Sequence, residues 1–303
     1  MKPVAQNPLM IETTLAEPGT TSVNRPFQVI EPVQHTAAML VASPHSGRDY
    51  RPEFVASSRL AFNALRRSED SFVDELFSGA TAAGIPLLQA EFPRVYCDVN
   101  REAWELDPVM FADKLPPWCN TESARVQAGF GTIARLVSSG EPIYRSKLHF
   151  SEAEHRVRTC WQPYHARLAD LIDGTLAAHG VCLLIDAHSM PGLAEPKDTS
   201  PDFVLGDAFG TSCARSITQF TERFLRDRGF RVRRNDPYAG GYVTRHYGRP
   251  MSQVHVLQIE IGRSLYMNEA RFEKLPQFPD IQDLFATLLY GLADLVPSLL
   301  PKP

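Results

Sequence analysis

Chemically reactive side chains follow short apolar runs in this sequence. The clearest example is the run at residues 181–185, which leads directly into Asp186 and then His188. An unbroken apolar run this short is typical of a central strand covered on both faces, so the polar pair should fall where the strand ends. A second run, at residues 37–42, leads into His45. Because ligands bind at the carboxyl ends of strands in α/β sheets, we expect both histidines at such an edge.

Two more predicted strands end in polar residues. Residues 94–99 lead into Asn100 and Arg101, and residues 254–261 carry Glu260 near their end. Two histidines and a carboxylate, with one position left for water, form a catalytic zinc site. A further carboxylate can take a proton from that water, and an arginine can bind a substrate carboxylate. These residue types favour a metal-dependent hydrolase; a buried histidine–aspartate pair with a purely structural role is the alternative.

Other catalytic signatures are missing from the sequence. It contains no HExxH, GxSxG or P-loop motif, and Gly129 and Gly131 lack the third glycine of a dinucleotide-binding fingerprint. The five cysteines are widely spaced and form no CxxC pair. Neither a disulfide framework nor a structural zinc cluster is therefore expected.

Helical patterns alternate with the predicted strands. Residues 59–83 show apolar side chains at helical spacing. Ser151 and Glu154 form a capping box that predicts a second helix over residues 151–179, with a kink expected at Pro163. This alternation predicts an open, mostly parallel or mixed sheet with helices on both faces. We expect one catalytic domain over residues 35–303, preceded by an irregular, proline-rich extension at residues 1–34.

Composition limits the classes of partner. The formal net charge of −4 argues against binding to nucleic acid or to an anionic membrane surface. No apolar run approaches the ~18 residues of a membrane-spanning helix, and the first residues lack the apolar stretch of a secretory signal. We expect a cytoplasmic protein with a small-molecule substrate, and the sequence leaves its oligomeric state open.

The polar strand ends belong to seven sequence blocks that resemble those of the N-formylglutamate amidohydrolase family. The blocks are SPHSGRDY (43–50), DSFVDELF (70–77), RVYCDVNRE (94–102), DAHSM (186–190), DFVLGD (202–207), PYAGGYVTRHYG (237–248) and HVLQIEIGRSLYM (255–267). They lie in the family's order and span roughly residues 35–275. The family is related to zinc carboxypeptidases and aspartoacylases. The resemblance implies a phosphorylase/hydrolase-like three-layer α/β sandwich with a central mixed sheet. It also implies hydrolysis of N-formyl-L-glutamate to formate and L-glutamate, a late step in histidine degradation.

The resemblance implies roles for the residues around the scissile bond. His45 and His188 match two histidine ligands of a metal ion, zinc or another divalent transition metal. Glu260 matches the general base, and Arg94 matches the arginine that polarises the scissile carbonyl. Asp186 would orient His188, or it could instead stabilise the turn.

The third metal ligand departs from the family pattern. In the relatives a glutamate follows the first histidine by three residues, and here that position is Arg48. We predict Asp74 as the replacement, because it lies on the helix expected after His45. Asp70, one turn earlier on the same face, is the rival. Either acid could instead interact with the helix dipole.

The resemblance also implies a binding site for a substrate with two carboxylates. Asn100 and Arg101 match the pair that holds the α-carboxylate. A second cation is needed for the other carboxylate, and from their loop position we predict Arg245, assisted by Tyr242. The competing candidates are Arg249 and Arg263.

Two other functions remain open at this stage. The first is hydrolysis of another N-acyl amino acid, or a carboxypeptidase-like activity. The second is a non-catalytic protein of the same fold that binds a dicarboxylate or a metal. Glu260 speaks against mere binding, since binding needs no general base.

Overall fold

Seven strands form the central sheet of the computed structural model, which describes residues 25–192 and 200–300. They are β1 (Phe27–Ile30), β2 (Met39–Ser43), β3 (Leu87–Ala90), β4 (Cys182–Met190), β5 (Phe203–Gly206), β6 (Val232–Arg234) and β7 (Val254–Gly262). Their order is β1-β3-β2-β4-β7-β5-β6. The four central strands β3, β2, β4 and β7 are parallel, whereas β1 runs antiparallel to β3 and β5 antiparallel to β7. The sheet is therefore mixed, as expected. A separate small sheet pairs β8 (Met267–Asn268) with β9 (Glu273–Lys274).

Helices cover both faces of the sheet and complete a three-layer sandwich. The α-helices are α1 (Pro52–Ser57), α2 (Phe62–Arg66), α3 (Val73–Leu76), α4 (Ala124–Gln127), α5 (Phe150–Arg156), α6 (Gln162–His179), α7 (Arg215–Arg226), α8 (Tyr242–Tyr247) and α9 (Phe278–Leu295). Short 3₁₀ turns lie at Ser78–Ala83, Pro108–Met110, Ala208–Gly210, Pro250–Ser252, Arg263–Leu265 and Val296–Leu299. Apolar side chains of α3, α7 and α9 form the core on one face, and those of α5, α6 and α8 join the core on the other. Within the described ranges, no helix is long and apolar enough to cross a membrane.

Strand β4 turns polar towards its carboxyl end. Its residues Leu183 and Ile185 pack into the core beneath α9, while Leu184 packs into the core beneath α6. Asp186 and His188 continue the face of Leu184 towards the carboxyl end of the strand, because side chains two residues apart share a face. The neighbouring strand β7 repeats this pattern, with Val256 in the core and Glu260 four residues on. Two adjacent strands thus present polar groups at the same edge.

Two of the expected elements have a different form. The predicted helix at residues 59–83 is broken between α2 and α3, where Phe72 adopts a left-handed φ of 67°. Residues 94–99 were expected to form a strand, and that expectation is wrong: they form turns. Residues of both segments contribute to the site described below instead of continuing a regular helix or strand.

Two further predicted segments are also divided differently in the structure. The predicted helix at residues 151–179 is interrupted by π-helical Val157–Trp161, and Pro163 stands in the first turn of α6, where its missing N–H is tolerated. The expected irregular extension at residues 1–34 contains β1, which pairs with β3. Residues 1–24 of that extension lie outside the described residues.

Candidate active site

Three buried side chains bring their ligand atoms together at the carboxyl edge of the parallel strands. His45 follows β2, His188 lies on β4, and Asp70 lies between α2 and α3. His188 Nδ1 is 3.1 Å from His45 Nδ1 and 3.2 Å from Asp70 Oδ2, and the third side of the triangle is 3.4 Å. Atoms bound tetrahedrally to zinc at ~2.0–2.2 Å lie about 3.3–3.5 Å from one another. The three sides lie close to these values, so the ligand atoms of His45, Asp70 and His188 could together hold a metal ion.

The outer nitrogen of each histidine faces a carboxylate. His45 Nε2 donates a hydrogen bond to Asp98 Oδ1 over 2.8 Å, and His188 Nε2 lies 3.0 Å from Asp186 Oδ1. A proton held on Nε2 leaves the lone pair of Nδ1 free for a metal ion. At His45, the bond to Asp98 thus keeps a proton on Nε2.

Asp70 is held in place by its other oxygen. Ser189 Oγ donates to Asp70 Oδ1 over 3.1 Å, and Arg263 Nη2 donates over 3.2 Å. Burial raises the pKa of Asp70, but hydrogen bonds from His188 and His45 outweigh it and lower this pKa well below its usual value. Asp70 is therefore an ionised carboxylate with Oδ2 directed at the histidines.

The structure does not bring Asp74, our choice for the third ligand, to this cluster. Asp74 Oδ2 accepts a hydrogen bond from Arg48 Nη2 over 2.6 Å. The cause is the helix break at Phe72, which removes the expected i, i+4 relation between Asp70 and Asp74. Arg48, which stands where the family has a glutamate, thus binds Asp74. Asp70, the rival candidate, lies in the cluster instead.

Glu260 is buried beside the cluster. It pairs in register with His188 across β4 and β7, and its Oε1 accepts a hydrogen bond from Gln258 Nε2 over 2.7 Å. Burial raises the pKa of Glu260 to about 7, and the negative charge of Asp70 raises it as well, against the opposing charges of His188 and Arg94. A carboxyl group with a pKa near neutrality can both accept and return a proton at physiological pH.

Asp98 connects several members of the site. Besides binding His45, it accepts a hydrogen bond from the Asn100 backbone N–H over 2.9 Å and one from Arg94 Nη2 over 2.8 Å. Arg101 Nη2 lies 3.7 Å from Asp98 Oδ2. Burial raises the pKa of Asp98, but these arginines and His45 outweigh it and lower this pKa well below its usual value. The sequence indicated no role for Asp98, since its partner His45 comes from a distant segment.

Asn100 and Arg101 are both buried, and some of their polar atoms already form hydrogen bonds within the protein. Asn100 Nδ2 lies 3.2 Å from His188 Nε2, and its Oδ1 accepts a hydrogen bond from the Val243 N–H over 2.9 Å. Arg101 donates from Nε to the Phe130 carbonyl over 2.9 Å and from Nη1 to the Asn100 carbonyl over 2.8 Å. Among the described residues, Arg101 Nη2 has no close backbone partner.

A cavity of about 640 Å³ opens onto these residues. Of the predicted site residues, those that line it are His45, Arg94, Asn100, Arg101, His188, Arg245 and Glu260. Tyr242 does not line it, because its ring stacks on His246 with 4.7 Å between centroids. Of the competing cations, Arg263 lines the cavity but is committed to Asp70, and Arg249 is not part of the lining.

Arg125 is a lining residue that the sequence did not indicate. It belongs to the short helix α4 and points to the cavity wall. Only Ala124–Gln127 is α-helical, and the chain then turns at Gly129, where φ is +84°. No local pattern in the sequence shows that this turn lies beside the cavity.

The fold is that of an α/β protein with a polar cavity at the carboxyl edge of its parallel strands. A family model for N-formylglutamate amidohydrolase matches residues 37–267, and the chain belongs to this family. It is 30% identical over 239 residues to an N-formylglutamate deformylase of Pseudomonas aeruginosa, covering 76% of this chain and 82% of that protein. A deformylase of the same name from Pseudomonas putida is 28% identical over the same coverage.

The fold is shared with a solved member of the family. The crystal structure of an N-formylglutamate amidohydrolase from Ralstonia eutropha superposes with a TM-score of 0.83 and 34% sequence identity, covering 89% of this chain and 98% of that one. The resemblance in the sequence blocks and the expected three-layer sandwich are thereby confirmed.

Proposed function

We propose that the protein hydrolyses the formamide bond of N-formyl-L-glutamate, releasing formate and L-glutamate, with the help of a divalent metal ion. The observation that carries this proposal is the triangle of His45, Asp70 and His188 ligand atoms beside the buried Glu260. The names of the relatives supply the substrate. The products are those of a late step in histidine degradation.

The donor set suits zinc, although other divalent transition metals accept imidazole and carboxylate ligands. His45, Asp70 and His188 would hold the ion, with Asp98 and Asp186 orienting the two rings. A bound ion of this kind lowers the pKa of water and polarises a carbonyl oxygen.

Glu260 supplies the proton transfers in this proposal. It accepts a proton from the water that attacks the formyl carbon, and it then donates that proton to the departing glutamate nitrogen. Its pKa of about 7 suits both steps. Arg94 lines the same cavity and keeps donors beyond the one bound to Asp98, so it can stabilise the negative oxygen that forms during the attack.

The arginines on the cavity wall account for an anionic substrate. The Nη2 group of Arg101 and the amide of Asn100 would bind the α-carboxylate, and Arg245 would approach the second carboxylate from α8. Tyr242 is left out of this proposal because its ring lies outside the cavity.

Formate release from N-formyl-L-glutamate by the purified protein tests the proposal. We expect activity that chelation removes and zinc restores, and full activity in metal-free protein would exclude the metal's role. A panel of N-formyl and N-acetyl derivatives of Asp, Glu and Gln separates this activity from that of a general acylase. Turnover that survives Glu260→Gln would exclude Glu260 as the base, and ligand binding with no turnover of any substrate would indicate a binding protein.

A further inference from the structure

Five arginines line the cavity, and the guanidinium groups of three of them already bind other groups of the protein. Arg94 is bound to Asp98, and Arg263 is bound to Asp70 and Ser189. Arg101 gives two of its nitrogens to backbone carbonyls. These interactions organise the site, so the cations remaining for a second substrate carboxylate must be sought among the other two arginines of the lining, Arg125 and Arg245.

Arg125 has a guanidinium group without a partner. Among the residues that the structure describes, none forms an ion pair or a hydrogen bond with its side chain. The residue is nevertheless half-buried and lines the cavity. Arg245 is also unpartnered within the described ranges, but it is exposed, so water competes more strongly for its donors.

The turn that carries Arg125 is connected to Arg101. The Arg125 carbonyl accepts a hydrogen bond from the Phe130 N–H over 2.8 Å, and the Phe130 carbonyl accepts one from Arg101 Nε over 2.9 Å. Burial lowers the pKa of Arg101 to about 10, and the nearby positive charge of Arg125 lowers it as well. Both arginines therefore lie on one wall, at a separation where their charges interact.

This wall is firmly held. Ser123 Oγ accepts a hydrogen bond from the Val126 N–H over 3.1 Å at the start of α4, and Val126 is buried. A Cβ atom at Gly131 would overlap the Glu105 carbonyl, so the backbone there packs directly against a neighbouring segment. Arg125 thus projects from a fixed support, which reduces the entropy lost when a ligand binds it.

We propose that Arg125 is the residue that selects substrates with a negatively charged side chain, by binding the distal carboxylate of an N-formylated acidic amino acid. Arg101 and Asn100 would hold the α-carboxylate on the same wall, while Arg245 adds a weaker, solvent-exposed attraction. This inference rests on the proposed function and adds the residue that discriminates among formylated amino acids.

The test compares two substrates that differ in the distal charge, N-formyl-L-glutamate and N-formyl-L-glutamine. In Arg125→Gln we expect kcat/KM for the glutamate derivative to fall by about 10- to 100-fold, since a hydrogen bond between charged groups is lost. The value for the glutamine derivative should change by less than about threefold. Arg125→Lys should lie between wild type and Arg125→Gln, because lysine keeps the charge without the planar pair of donors. Arg145→Gln, which removes an exposed arginine outside the cavity, is the matched control and should change neither value.

The outcomes separate the two proposals. An equal loss on both substrates in Arg125→Gln, or no loss on either, overturns the role of Arg125 and leaves the deformylase activity standing. Wild-type protein that releases formate from neither substrate overturns both. A change in substrate preference with an unchanged melting temperature supports the inference.

Discussion

At the scale of single residues, the site depends on carboxyl groups placed in different surroundings. Asp70 and Asp98 are buried among cations, which lower their pKa values, whereas burial dominates at Glu260 and raises its pKa to about 7. The first two are therefore suited to hold a metal site, and the third is suited to move protons.

The pH dependence follows from Glu260. As a base it must be deprotonated, so kcat/KM for N-formyl-L-glutamate should fall about tenfold per pH unit below the pKa of Glu260 and level off above it. A bound cation lowers the pKa of a nearby carboxyl group, so we expect the midpoint at about 7 or below in the metal-loaded protein. A pH profile measured with and without excess zinc checks this, and a rate independent of pH between 5 and 8 would contradict it.

Asp70 and Asp74 form a matched pair for testing the third ligand. We expect Asp70→Asn to weaken metal binding by about 100-fold or more, because the loss of a ligand should exceed the ~10- to 100-fold cost of losing an outer partner. Asp74→Asn should retain the metal, since Asp74 is bound to Arg48. Metal content after dialysis at a fixed free zinc concentration measures the difference. Equal retention by both variants would remove Asp70 from the site.

At the scale of elements, the helical segment from α5 to α6 supports the loop that carries Asp98 to Arg101. Trp161 Nε1 donates to the Arg101 carbonyl over 2.9 Å, and His165 Nε2 donates to the Val99 carbonyl over 2.8 Å. Burial lowers the pKa of His165 to about 4, so this histidine is neutral at physiological pH. The π-helical turn ends at Trp161, and such turns are frequent at functional sites.

Trp161→Phe tests this support. The variant keeps most of the ring but loses the hydrogen bond to Arg101, so we expect the free energy of unfolding to fall by about 1 kcal/mol. A displaced Arg101 should lower kcat/KM by about 10-fold. Trp118→Phe is the control, since Trp118 is largely exposed and lies outside the cavity lining. Denaturant unfolding and formate release measure the two effects, and equal behaviour of both variants would exclude a special role for Trp161.

At the scale of the whole molecule, the site joins segments far apart in the chain. Gly241 precedes α8 and packs against the Asn100 side chain, which in turn lies beside His188 on β4. Gly241 has a φ of −92°, which any residue can adopt, so the requirement for glycine here is one of space alone.

Gly241→Ala should therefore disturb the site by steric overlap and not by backbone strain. Its Cβ atom would overlap the Asn100 amide, and we expect a loss of about 1–3 kcal/mol in stability together with reduced activity. Gly174→Ala in α6 is the matched control, because a Cβ atom there meets no atom of the described residues within 4 Å. That change should stabilise the helix by about 0.5–1 kcal/mol. Thermal unfolding of both variants checks the prediction, and a neutral Gly241→Ala would contradict the packing.

The sequence by itself determined the polar strand ends and the mixed α/β architecture. Apolar runs are local patterns, so they were sufficient to predict that His45, His188 and Glu260 lie near strand ends at one edge of the sheet. Only the tertiary structure decided between Asp70 and Asp74, because the left-handed turn at Phe72 breaks the helix that had placed both on one face. It also brought Asp98 and Arg125 to the cavity, since their positions depend on packing between distant segments, which no local pattern encodes.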